Sequence, residues 1–284
     1  MAELWKGAPV AAALTGQLTA RTEQLTARGV TPTLAIVRVG QRPEDLSYER
    51  GALKRCQTIG IAVKQFILSE DSSQQDLLKV IQQVNTDPGI HGCLLFRPLP
   101  RHMDEEAVCA ALSPAKDVDG ITAGSLAGVF TGRGQGFPPC TAQACLELLR
   151  HYGYDLTGKR AVVVGRSLVI GRPAAMLLLH ENATVTLCHT RTADLAAECR
   201  RADVLVAAVG RAGAIGADCL AHGQVVIDVG INVDADGNLV GDVDFAAASA
   251  LVDAITPVPG GVGAVTTSVL ARHVVEAAER TSNN

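Results

Sequence analysis

Apolar positions along this chain follow two alternating rhythms. Val10, Leu14, Leu18 and Leu25 recur at helical spacing among polar neighbours, which predicts a helix over residues 9–28 that stops at Arg28-Gly29. Pro32 to Val39, PTLAIVRV, is a continuous apolar run closed by Gly40, the pattern of a buried strand. After the loop GQRPED the helical rhythm returns from about Leu46 to Thr58, and Ile61 to Leu68 reads as the next strand. Ser72 or Ser73 is placed to cap the helix QQDLLKVIQQVN, and Asp87-Pro88-Gly89 turns it into the strand HGCLLF. Arg97-Pro98-Leu99-Pro100 must then leave the sheet, because proline has no N–H to give. A short helix, DEEAVCAAL, precedes a polar, glycine-rich passage from Lys116 to Thr141 with little periodicity, where an interdomain boundary is expected.

Beyond it the alternation resumes. A helix from about Ala142 to Tyr152 leads into the strand Ala161–Val164, a glycine-bounded loop, a helix, and the strand ATVTLCH (183–189). DVLVAAVG, QVVIDVGI and a short piece around Ala254 to Thr256 add strands, and the last helix is expected from about Thr266 to Arg280. Strands alternating with helices imply an α/β fold with a parallel, doubly wound sheet and right-handed crossovers.

The passage Lys159–Leu179, KRAVVVGRSLVIGRPAAMLLL, carries the strongest chemical signal. Gly165 and Gly171 bracket the loop, and Pro173 fits a first helical turn. The free N–H groups of such a helix start suit a pyrophosphate. At the end of the following strand the chain reads His189, Thr190, Arg191, Thr192, without the carboxylate that holds an NAD ribose. Arg166 on the first loop and Arg191 on the second suit a 2′-phosphate, which favours NADP over NAD; two solvated surface arginines are the alternative.

Composition narrows the field. The 284 residues are 48% hydrophobic with a net charge of -4, without a basic block or a membrane-length apolar run, so neither nucleic acid nor a membrane surface is an expected partner. The N-terminus lacks the features of a secretory signal, and a cytoplasmic protein is expected. Eight cysteines are scattered with no C-x-x-C pair, which favours buried hydrophobes over disulfides or zinc; no metal is expected.

Taken in order, KDVDG (116–120), PCT (139–141), VVVGRSLVIGRP (162–173), ATVTLCH (183–189), DVGIN (228–232), GDVDF (241–245) and PVPGGVG (257–263) resemble the methylenetetrahydrofolate dehydrogenase/cyclohydrolase family over nearly the whole chain. The resemblance implies two α/β domains with an active-site cleft between them. Residues 1–140 would form a folate-binding domain, completed by the C-terminal helix 266–284. Residues 141–265 would form a Rossmann-type NADP domain. It further implies a homodimer acting on tetrahydrofolate derivatives in two steps. Hydride passes from 5,10-methylenetetrahydrofolate to NADP⁺, and the methenyl product is then hydrolysed to 10-formyltetrahydrofolate.

By the same resemblance Tyr48 stacks on the folate, and Asp119 accepts hydrogen bonds from the pterin edge. Phe96, Pro98, Gly260 and Gly261 line the substrate, while Gly165, Arg166, Ser167, Gly171, Arg191, Ile231 and Gly263 hold the cofactor. Two positions depart from the family. Its catalytic lysine falls four residues after the tyrosine, where this chain has Ala52, and its glutamine falls at Phe96, followed by Arg97 where an apolar residue is usual. After the glycine loop, Ala264-Val265 replaces Pro-Met. The expected activity is therefore an NADP-dependent dehydrogenase that has lost or weakened the hydrolase. Two alternatives stand beside it: a bifunctional enzyme in which Lys54, Arg97 or an unidentified group serves as base, and a non-catalytic folate- or nucleotide-binding paralogue.

Overall fold

The structure, a computed structural model, describes residues 1–282. Its first half runs β1 (Glu3–Leu4), α1 (Gly7–Ala27), β2 (Thr33–Val39), α2 (Pro43–Ile59), β3 (Ala62–Leu68), α3 (Gln74–Thr86), β4 (Gly92–Leu95), α4 (Glu105–Ala111) and α5 (Ala123–Thr131). The second half runs α6 (Cys140–His151), β5 (Arg160–Val164), α7 (Gly171–His180), β6 (Thr184–Cys188), α8 (Leu195–Arg200), β7 (Val204–Ala207) and β8 (Val225–Asp228). It ends with the hairpin β9 (Asn232–Val233) and β10 (Leu239–Val240), then α9 (Phe245–Leu251), β11 (Ala254–Ile255) and α10 (Gly263–Ser282). The last two positions of the helix expected over 266–284 lie outside the described residues.

The chain divides into two compact units, one of residues 13–140 with the stretch from Thr267 onward, the other of residues 1–12 with 141–266. In the first unit three strands pair in parallel in the order β3-β2-β4. Every residue of β2 is buried, as its unbroken apolar run demands. Ser73 caps α3 by accepting from the Asp76 N–H at 3.2 Å, and the helix buries Leu77, Ile81 and Val84 completely against the sheet. Each such side chain contributes roughly 1.5–3 kcal/mol.

The second unit holds a six-stranded sheet, β1-β11-β8-β7-β5-β6, parallel at every pairing. The order reverses at β5, with β6 on one side and β7 on the other, and it is beyond the carboxyl ends at such a switch point that ligands bind. Its core is built from Val162, Val164, Leu205, Ala207, Val226 and Ile255.

Several boundaries differ from those expected. Residues 1–12 pack with the second unit, because β1 pairs with β11 and Trp5 stacks on Tyr152 at 4.8 Å with an interplanar angle of 3°. Helix α2 starts at Pro43 rather than Leu46, since proline suits a first turn and Glu44 and Asp45 favour the positive helix end. The glycine-rich passage contains α5, capped by the Thr122 hydroxyl, which accepts from the Ser125 N–H at 3.1 Å. The last helix begins three residues early, at Gly263.

Candidate active site

In the second unit the carboxyl ends of β5, β6 and β7 open onto a cavity of about 680 Å³ lined by Gly165, Arg166, Ser167, His189, Thr190, Thr192 and Arg211, among others. Gly165 has φ +121°, and a Cβ there would lie 2.0 Å from the Ala208 carbonyl oxygen, so only glycine lets β5 turn this close to β7. Gly171 is equally constrained, because its Cβ would meet the Gly165 carbonyl at 1.9 Å. The Ser167 hydroxyl accepts from Ile170 N–H at 3.1 Å, closing the loop into the start of α7. The lining contains no carboxylate, and Arg166 and Arg211 both contribute to it. These residues fit a dinucleotide phosphate: a close-packed backbone, a helix start and cationic side chains.

Arg191, expected in this site, is exposed and outside the lining, and its backbone N–H donates to His189 Nδ1 at 3.2 Å. The strand-end spacing located the loop but not the direction of the side chain. Arg211, which sequence reasoning missed, belongs to a loop held by Asp242, whose carboxylate accepts from the N–H groups of Val209, Gly210 and Arg211. Asp242 is the first Asp of GDVDF, and its own N–H donates to Asp228 of DVGIN at 2.9 Å. Asp228 is buried and desolvation pushes it up to about 6, against the pull of three backbone donors. These two motifs are therefore braces for the loops around the site.

Ile231, Gly260, Gly261 and Gly263 come together in a second cavity of the same unit, of about 320 Å³. Gly260 adopts φ +101° and its carbonyl accepts the Gly7 N–H at 2.8 Å. Gly261 is dictated from inside, since its Cβ would lie 2.5 Å from the Pro257 carbonyl oxygen.

In the first unit Tyr48 and Phe96 meet edge to face, ring centroids 6.1 Å apart at 81°. Ala52, one turn along α2 from Tyr48, is 1% exposed, whereas Lys54 is exposed on another side of the helix. Lys54, the replacement base of the bifunctional alternative, is thus separated from the Tyr48 face by the helical rotation. Arg97 pairs with Glu105 at 3.5 Å. Pro98 lines a cavity of about 750 Å³ drawn from residues 39–43, 70–71 and 98–102, a set without Tyr48 or Asp119.

The KDVDG segment splits its charges. Lys116 donates to the carbonyls of Asp87 and Ile90, and the fully buried Asp117 accepts from Ile121 N–H, Thr122 N–H and the Ser125 hydroxyl at 3.0, 2.7 and 2.6 Å. Both are consumed by the fold. Asp119 is only partly exposed, and burial, then the charge of Asp117, pushes its carboxyl up to about 6, with Cys140 and Arg97 drawing it partly back.

A glycine-bounded strand–helix loop at the switch point of a parallel sheet points to the class, a nucleotide-dependent α/β enzyme with a second, smaller parallel-sheet domain. Residues 139–282 match the family model for the tetrahydrofolate dehydrogenase/cyclohydrolase NAD(P)-binding domain, and residues 5–119 match its catalytic domain. The chain belongs to this enzyme family. It is 52% identical over 281 residues to the bifunctional protein FolD of Carboxydothermus hydrogenoformans, covering 98% of both chains. Among solved structures, the bifunctional dehydrogenase/cyclohydrolase FolD of Campylobacter jejuni superposes with a TM-score of 0.95 at 36% identity, covering 99% of each chain. The Trypanosoma brucei FolD, complexed with NADP cofactor and inhibitor, gives 0.92 at 34% identity, covering 100% of this chain and 99% of that one.

Proposed function

We propose that this chain is a cytoplasmic methylenetetrahydrofolate dehydrogenase that oxidises 5,10-methylenetetrahydrofolate to the methenyl cation with NADP⁺, and that it does not accelerate hydrolysis of the product. The observation that carries the reading is that Ala52 is buried and Phe96 stands edge-on to Tyr48, at the positions where the family resemblance calls for lysine and glutamine. NADP⁺, when bound, supplies the hydride acceptor. The residues of the chain have to orient the two reactants, because the methylene carbon loses only hydride and no proton is moved by the protein. Tyr48 offers the pterin a ring face, Asp119 accepts from its amino and ring N–H groups, and Arg166 faces the 2′-phosphate in a lining without a carboxylate.

Hydrolysis makes a different demand, since water must be deprotonated and a C–N bond broken with proton transfer. Ala52 and Phe96 have no group for this, Lys54 is exposed off the Tyr48 face, and arginine at 97 does not readily release a proton. The second reading, a bifunctional dehydrogenase/cyclohydrolase, is favoured by the names of the relatives.

The test is spectroscopic. Purified protein is supplied with 5,10-methylenetetrahydrofolate and NADP⁺, NADPH and methenyltetrahydrofolate are followed together, and the decay of added methenyltetrahydrofolate is compared with its rate in buffer. NADPH and methenyl product rising in step, with decay at the buffer rate, is the expected outcome. Enzyme-dependent decay would assign the second reading.

A further inference from the structure

We infer that His273 is a positioning residue for the substrate-binding carboxylate, fixing the peptide plane between Val118 and Asp119. The inference rests on the reading of Asp119 as the acceptor of the pterin N–H groups. His273 lies on α10, 1% exposed, with Nδ1 2.9 Å from the Val118 carbonyl oxygen. A carbonyl only accepts, so Nδ1 carries the proton. Burial pushes the imidazole down to about 3, and the charges of Arg272 and Arg280 act in the same direction. The ring is therefore a neutral, permanent donor across the working range of pH.

Cys140 supplies the same oxygen with a second donor, its Sγ 3.3 Å from Val118 O and 3.8 Å from His273 Nδ1. With the His273 donor fixed on this carbonyl and the single Cys140 proton shared between it and the Asp119 carboxyl, the peptide unit whose N–H belongs to Asp119 cannot rotate freely. The imidazole is held in turn by Phe137, stacked at 5.0 Å, and the Arg280 guanidinium lies 4.3 Å from the Phe137 ring while donating to Gly136 O at 3.2 Å. On the other side of Asp119, Gly120 at φ +71° packs so closely on residues 137–139 that a Cβ would lie 2.4 Å from Pro139 N. Asp119 is thus flanked by two fixed peptide units, and its remaining freedom is in its own side-chain torsions. A histidine serving only the core could satisfy its proton on any carbonyl; this one takes the carbonyl adjoining the carboxylate.

The experiment compares His273→Leu, His273→Asn and Asp119→Asn in the full chain, with thermal midpoints recorded beside steady-state kinetics. Leucine removes the donor, and the expected result is a roughly tenfold rise in KM for 5,10-methylenetetrahydrofolate, the effect of one lost buried hydrogen bond, with kcat and the KM for NADP⁺ within about twofold of the parent. Asparagine carries an amide donor near the place of Nδ1 and is expected to restore most of that KM. A lowered midpoint in His273→Leu with an unmoved folate KM, an equal rise in both KM values, or no rescue by asparagine would each overturn the inference. If His273→Leu does not fold, His273→Gln, whose amide falls nearer the place of Nε2, withholds the donor from the Val118 carbonyl and must raise the same KM. An unchanged folate KM in Asp119→Asn would overturn the Asp119 reading and this inference together; a raised KM there with an unmoved one in His273→Leu overturns the inference alone.

Discussion

Replacing Asp119 with asparagine is expected to stabilise the protein at alkaline pH while impairing its use of the folate substrate. In the folded chain the Asp119 carboxyl is pushed up to about 6 from 3.8, chiefly by burial. The folded state therefore holds this proton more tightly than the unfolded chain does. Its stabilising contribution is fully present below about pH 4 and is lost as pH rises through about 6, where the folded group ionises. Over that window the buried carboxylate costs the fold about 2–3 kcal/mol, which partial exposure reduces to roughly 2 kcal/mol. Asparagine has nearly the same shape and cannot ionise. For a protein of this size 1 kcal/mol moves the midpoint by roughly 2–4 °C, so the variant should melt about 4–8 °C higher at pH 8 and at the parental temperature near pH 4. Thermal melts followed by circular dichroism, without ligand, at three pH values across this range provide the assay. A midpoint difference independent of pH, or a variant less stable at pH 8, would refute the reasoning. The same linkage makes folate binding pH-dependent: pterin N–H donors favour the ionised carboxylate, so the KM for 5,10-methylenetetrahydrofolate should rise as pH falls below about 6.

Two further substitutions test the frame around the sites. Gly165→Ala places a Cβ 2.0 Å from the Ala208 carbonyl oxygen at φ +121°, and NADPH affinity measured by fluorescence titration should fall by about a hundredfold or more; near-parental affinity would show that the loop is not the phosphate cradle. Glu49→Gln breaks a buried pair with Arg38 at 2.8 Å and leaves the guanidinium uncompensated, which should cost about 3–5 kcal/mol in urea unfolding, with much of the loss recovered when Arg38→Met is added; a loss below 1 kcal/mol would contradict it.

What the sequence reveals depends on how local the cause is. β2 and α3 are legible because burial on two faces and on one stripe writes an unbroken run and a helical rhythm into adjacent residues. α5 is hidden by its glycines, but Gly128 is there because a Cβ would lie 2.1 Å from the Gln135 carbonyl oxygen, a packing demand that overrides helix propensity. β1 has two residues and exists only through its pairing with β11, far along the chain, so no local pattern could announce it. Within the sites, the glycines of the phosphate loop were legible because backbone constraints select one residue type. Arg211 was not, since Asp242, distant in sequence, places its loop. Asp117 and Asp119 are the same residue two positions apart, and only their partners show that the first holds the backbone while the second stays accessible.

Ala52 and Phe96, the two positions at which the resemblance implies lysine and glutamine, have a common chemical content. One and two turns along α2 from Tyr48 stand Ala52 and Cys56, both buried, and the Cys56 thiol is pushed up to about 12 by desolvation. Phe96 meets Tyr48 edge to face, ring centroids 6.1 Å apart. Neither Ala52 nor Phe96 can exchange a proton, and Cys56 holds its own far above neutral pH, whereas proton exchange is what the opening of a methenyl cation by water requires. Hydride transfer requires instead an aligned ring, a carboxylate for the pterin edge and a phosphate cradle, and the residues proposed for these are Tyr48, Asp119 and the loop from Gly165 to Gly171. On the proposed reading the substitutions remove groups that serve only the second reaction, a sorting that random erosion of the site would have no reason to produce.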